Sequence, residues 1–133
     1  ADVMYVGDSI TDLEAFELVR GNDGLTVSFN GNQYAVENAE VAILSEHSIV
    51  TAIVADVFLR FGKSDVLELV ENWSRSALKR SSVGRGMLSR LFKVFPSRLP
   101  KVKMITEQNM EALGRESSRF RNRVRGEAIG RLG

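Results

Sequence analysis

The sequence predicts an α/β fold: part of a parallel sheet, β-α-β-α-β, over residues 1–46, followed by an all-helical segment. Three observations predict it. Short β-rich apolar runs alternate with helical patterns as far as Leu44. The loops between them are short and rich in Gly, Asn and Asp. Beyond Ser45, every apolar stripe repeats at helical rather than strand spacing. Short strands linked by single helices imply right-handed crossovers, hence parallel neighbours.

The elements follow in order. Asp2 to Val6 is a short apolar strand, broken by Gly7 and Asp8. In Thr11-Asp12-Leu13-Glu14 a hydroxyl and a carboxylate have capping-box spacing, and Leu13, Phe16, Leu18 and Val19 supply the apolar face of the helix that follows. Gly21 to Gly24 ends it. Leu25 to Phe29 alternates at the strand period, Asn30-Gly31-Asn32 turns, Gln33 to Asn38 forms a short helix, and Val41 to Leu44 is a third strand.

Ser48 is the expected N-cap of a helix to Phe61 that is apolar nearly all round and therefore buried. Ser64 is the expected cap of the next helix, in which Val66, Leu69, Val70, Trp73 and Ala77 recur at helical spacing, so Trp73 is expected in the core. These two helices make a hairpin, residues 47–80, packed on the α/β part. Residues 81–133 read as a basic helical extension: a flexible break from Ser81 to Gly86, an amphipathic helix from Met87 stopped by Pro96, a second boundary at Pro100, and a thin stripe from Thr106 that is either one long helix or partly disordered.

Composition narrows the function. The chain has no cysteine, so thiol nucleophiles, Cys-ligated zinc and disulfides are excluded, and the cytoplasm is the expected compartment. The most apolar run, Ile49 to Phe61, is too short to span a bilayer and contains Asp56 and Arg60, so no membrane association is expected. The net charge of +1 hides two opposite halves: residues 1–73 carry 13 Asp and Glu against 3 Lys and Arg, and residues 74–133 carry 4 against 15. The basic half has no nucleic-acid recognition motif and few aromatics. Packing beside the acidic half, or a solvated helical face, is therefore preferred over a nucleic-acid partner. A basic surface for an acidic protein is the alternative function.

The candidate chemistry lies in Gly7-Asp8-Ser9-Ile10-Thr11-Asp12, two carboxylates four residues apart where a strand gives way to a helix. Ligands of open parallel sheets gather outside the carboxyl ends of the strands, and Mg2+ prefers carboxylate oxygens and water. Gly7 lets the backbone turn closely, Asp8 can project from the strand tip, and Asp12 can look back from the first helical turn. A shared cation would relieve their repulsion. Without a metal, Asp8 is a turn residue and Asp12 a helix-N-terminal acid favoured by the macrodipole.

At these residues the chain resembles the fourth motif of the haloacid-dehalogenase superfamily, Gly-Asp followed by an acid three or four positions on. The likeness continues through DVMYV, TDLEAFELV, GLTVSF, NGNQYA and VAILS, which are similar to the last third of that family's Rossmann-like domain. The resemblance implies that Asp8 is a direct Mg2+ ligand and that Asp12 is a second ligand or an acid orienting metal-bound water. Ser9 and Thr11 would form hydrogen bonds around the metal, and Asn30 would border the pocket. It implies phosphoryl transfer from a phosphorylated small molecule through an aspartyl-phosphate. The family's nucleophile motif, DxDx[T/V], is absent, and no Lys or Arg has the context of its third motif. The chain therefore reads as the C-terminal fragment of a longer hydrolase, inactive alone, whose unpaired first strand favours a homo-oligomer, most simply a dimer. His47, the single histidine, is expected in a loop, and Gly84-Arg85-Gly86 is a linker rather than a nucleotide loop.

Overall fold

A computed structural model describes residues 3–132. Asp2, with which the expected first strand begins, lies outside the described residues.

Strands β1 (Met4–Gly7), β2 (Leu25–Phe29) and β3 (Val41–Leu44) run parallel and in sequence order. The connections are helix α1 (Leu13–Gly21), preceded by a 3-10 turn at Ile10–Asp12, and helix α2 (Gln33–Asn38). A parallel sheet of this kind buries both faces, which is why β3 is continuously apolar and why Thr26 and Ser28, the polar positions of the alternating β2, are buried as well. Leu25, Val27, Val41 and Ile43 pack on one side against α3 (Ile49–Phe61), α4 (Lys63–Glu71), α5 (Arg75–Arg80) and α6 (Arg85–Val94). Ala42 and Leu44 face the other side, with Val36 of α2 and Leu113 of α7 (Met110–Leu132). The molecule is a mixed α/β structure with helices on both faces of a mostly parallel sheet.

The expectation of an all-helical segment after Ser45 is corrected by β4 (Lys101–Met104), which pairs antiparallel with β3 from Val41↔Met104 to Leu44↔Lys101. Its alternation spans four residues and only Val102 is fully buried, too few periods for a strand to stand out from its helical neighbours. Part of the basic helical extension joins the core. Leu88, Leu91 and Val102 belong to the same core as β2 and β3, and α7 packs on α2.

The caps also differ from expectation. Ser48 makes no side-chain cap. The amide of Ile49 donates instead to His47 Nδ1 at 3.0 Å, so the histidine expected as a plain loop residue supplies the acceptor that a serine or threonine supplies elsewhere. Helix α4 starts at Lys63, ahead of Ser64, directly after Gly62 at φ +93°. It ends at Glu71, so Trp73 sits in the α4–α5 connection, half-buried, with Nε1 donating to Pro100 O at 3.0 Å. The segment 47–80 is thus three helices, not a hairpin of two. None of the described helices is long and apolar enough to cross a membrane.

Candidate functional site

The carboxyl ends of β1, β2 and β3 lie side by side because the three strands are parallel. This brings the loop after β1, the turn after β2 and Ser45 after β3 to one edge.

Asp12 builds the first loop from inside. Its Oδ2 accepts from the amides of Asp8 at 2.8 Å and Ser9 at 3.0 Å, and its Oδ1 accepts from the Tyr5 hydroxyl at 2.7 Å. The carboxylate fits beneath the strand end only because residue 7 has no side chain: a Cβ on Gly7 would stand 2.5 Å from Asp12 Cγ. The Thr11–Glu14 capping box does not form. Thr11 Oγ1 lies 2.8 Å from Ser9 Oγ, so one of these hydroxyls donates to the other.

Asp8 is disposed differently, with its side chain about half exposed (48%) at the strand tip. It faces two arginines of α7: Arg121 Nη1 is 3.1 Å from its Oδ2, and Arg125 Nη2 is 3.7 Å away. Arg121 is the better buried, its side chain 13% exposed. Its Nη1 also donates to the Asp8 carbonyl at 2.6 Å and the Asn30 carbonyl at 3.3 Å, so one guanidinium ties together the loops after β1 and β2.

Asn30 lies in the same neighbourhood, but its amide is committed. Nδ2 donates to Ser45 O at 2.8 Å and Oδ1 accepts from Ser45 N at 2.9 Å, with the backbone at φ +48°. It fastens the end of β2 to the end of β3 rather than offering its side chain to a ligand. Gly31 follows, where a Cβ would collide with Ser28 Oγ, and Ser117 of α7 donates to the Gly31 carbonyl at 2.6 Å. The sheet edge is therefore closed by α7, through Ser117 and Arg121.

The electrostatics follow from these contacts. Burial pushes the Asp12 carboxyl up, but the Tyr5 hydroxyl, the two amides and Arg121 outweigh it and hold it below the usual aspartate value. Tyr5 is raised, first by its hydrogen bond to Asp12. A depressed carboxylate stabilises the fold fully above its unfolded pKa, about 4, and the contribution is lost as pH falls through the folded value. A raised phenol stabilises below about pH 10, and that contribution is lost as pH rises through its folded value. Tyr5→Phe should consequently move the acid-unfolding midpoint, followed by circular dichroism, to higher pH. An unchanged acid limb would mean that the Tyr5–Asp12 bond does not stabilise the loop.

Of the residues the sequence singled out, the structure brings Gly7, Asp8, Ser9, Thr11, Asp12 and Asn30 to one edge, with Asp8 alone presenting a carboxylate outward. Among the described residues, no three acidic or imidazole side chains converge. A lone outward carboxylate, already facing two guanidinium groups, would leave most ligand positions of an octahedral cation to water. Sequence reasoning missed Arg121 and Arg125. Arg121 is 113 residues from Asp8, and nothing but a general excess of arginine marks it.

No family model matches the chain, and no curated protein matches it. Among solved structures it is similar to the gene product AF1437 from Archaeoglobus fulgidus, with 28% identity and a TM-score of 0.65 over 92% of this chain. The match covers 32% of that protein, so the chain spans about a third of its length.

Proposed function

We propose that this chain carries the metal loop of a Mg2+-dependent phosphohydrolase of the haloacid-dehalogenase type, acting on a phosphorylated small molecule. The reading is supported above all by Asp8, a half-exposed carboxylate held at the carboxyl end of a parallel strand by a loop built around Asp12. Asp8 is the ligand, and Asp12 acts through the backbone it holds in place. Mg2+, when bound, would neutralise and orient a phosphoryl group. Arg121 and Arg125 supply positive charge beside that position. The aspartate nucleophile has no counterpart in these 133 residues, so the chain alone should not turn over substrate.

A Mg2+ titration followed by NMR tests the reading. The Asp8 and Ser9 amides should shift first and saturably, and the carboxylates of α3 and α4 should not respond. No change at Asp8 up to about 10 mM Mg2+ would overturn it.

The open edge of β1 supports a second part of the proposal, a homo-oligomer. Val3 and Val6 are exposed there, and together with Phe58 and Leu59 they border a cavity of about 450 Å³ beside the outer edge of β1, which has no neighbour among the described residues. Sedimentation at micromolar concentration should detect a dimer that Val6→Lys disperses; a strictly monomeric wild-type chain would contradict this part.

A further inference from the structure

A larger cavity, about 890 Å³, opens between β4, the α4–α5 connection, the α6–β4 connection and α7. Its volume is that of a site for a drug-sized molecule, where about 300–1,000 Å³ is usual. Trp73, Phe95, Leu99 and Phe120 line it, all half-buried. The wall is held in shape by polar bonds, and of its rings Phe120 has the Arg123 guanidinium over one face. Trp73 spends its one donor on Pro100 O, and Arg75 Nη2 donates to the Phe95 carbonyl at 2.5 Å while its guanidinium lies 4.7 Å over the Phe92 ring. The rings therefore offer flat apolar surface and no hydrogen bond.

The charges around this surface are unequal. Lys101 is neutralised by Glu116 at 2.7 Å, and Arg123 lies 3.5 Å from Glu46 and 4.9 Å over the Phe120 ring. Arg98 and Lys103, both exposed, also line the cavity and form no ion pair among the described residues, against one such carboxylate, Glu71. An apolar floor under a rim with surplus positive charge selects a flat hydrophobic body bearing an anionic group. We propose that this cavity binds a small aromatic anion, its ring system against Trp73 and Phe120 and its anionic group toward Arg98 and Lys103. The site does not require a cation at Asp8, so it stands or falls apart from the metal loop.

The single tryptophan gives a direct readout. The wild-type chain is titrated with 2-naphthyl phosphate while the one indole N–H resonance is followed, in parallel with a naphthyl trimethylammonium and with inorganic phosphate. The naphthyl phosphate should give a saturable shift with an affinity about tenfold above either control. Arg98→Glu, a change on an exposed side chain, should weaken it about tenfold, and Phe120→Ala should weaken both naphthyl ligands together. Asp8→Asn should leave it unchanged. Failure to saturate by about 10 mM, equal affinity for the cationic analogue, or indifference to Arg98→Glu would each overturn the proposal.

Discussion

Gly7→Ala should destabilise the fold by about 2 kcal/mol and disorder the loop that follows β1, because the added methyl and the Asp12 carboxyl cannot share the space. The Cβ would lie 2.5 Å from Asp12 Cγ and 2.8 Å from Oδ2, and the loop has no slack, since Oδ2 already accepts from two consecutive amides. Either the strand end shifts or Asp12 swings out. In the second case the amides of Asp8 and Ser9 lose their acceptor, and the Tyr5 hydroxyl loses its partner. Asp12→Ala removes the same bonds without the steric conflict and should also cost about 2 kcal/mol, reduced from the buried limit because the loop is partly wet. Denaturant melts of the two variants separate the causes: similar losses mean that Gly7 matters through Asp12. A neutral Gly7→Ala would contradict the packing argument.

Arg121→Ala should have two effects of opposite sign. Its guanidinium stands 3.1 Å from the Asp8 carboxylate, where an incoming divalent cation meets like charge. Solvent screening of a half-exposed carboxylate reduces the repulsion to about 1.4 kcal/mol, so the variant should bind Mg2+ about tenfold more tightly. The same change frees the carbonyls of Asp8 and Asn30 and should lower stability by about 1–2 kcal/mol. Calorimetry for the cation and thermal melting for the fold read these independently. Weaker Mg2+ binding in Arg121→Ala would mean that the arginine assembles the site rather than competing for it.

The contrast between Asp12 and Arg121 marks how far the sequence could be read. Leu25–Phe29, Gln33–Asn38 and Val41–Leu44 carry local signals, alternation or a Gly-Asn turn, and the expected ranges coincide with β2, α2 and β3. The acidic loop was legible because its residues are neighbours in the chain. The division of labour inside it was not, since whether a carboxylate turns toward solvent or toward its own amides depends on the Tyr5 hydroxyl and on the space left by Gly7. β4 escaped notice because a four-residue strand with one fully buried side chain carries almost no period. His47 lies in the loop before α3 as its position predicts, but its role as acceptor for the Ile49 amide depends on where the imidazole turns. The closure of the sheet edge by α7 depends on contacts across most of the chain, Ser117 to Gly31 and Arg121 to Asp8, and a thin helical stripe rich in arginine contains no trace of them.

The central claim, that Asp8 is a cation ligand, is tested most directly by replacing Mg2+ with Mn2+ and mapping paramagnetic broadening of the amide resonances. Broadening should centre on residues 7–12 and extend to Gly31 and Arg121, and it should vanish in Asp8→Asn. Broadening centred elsewhere, or left unchanged by Asp8→Asn, would contradict the claim.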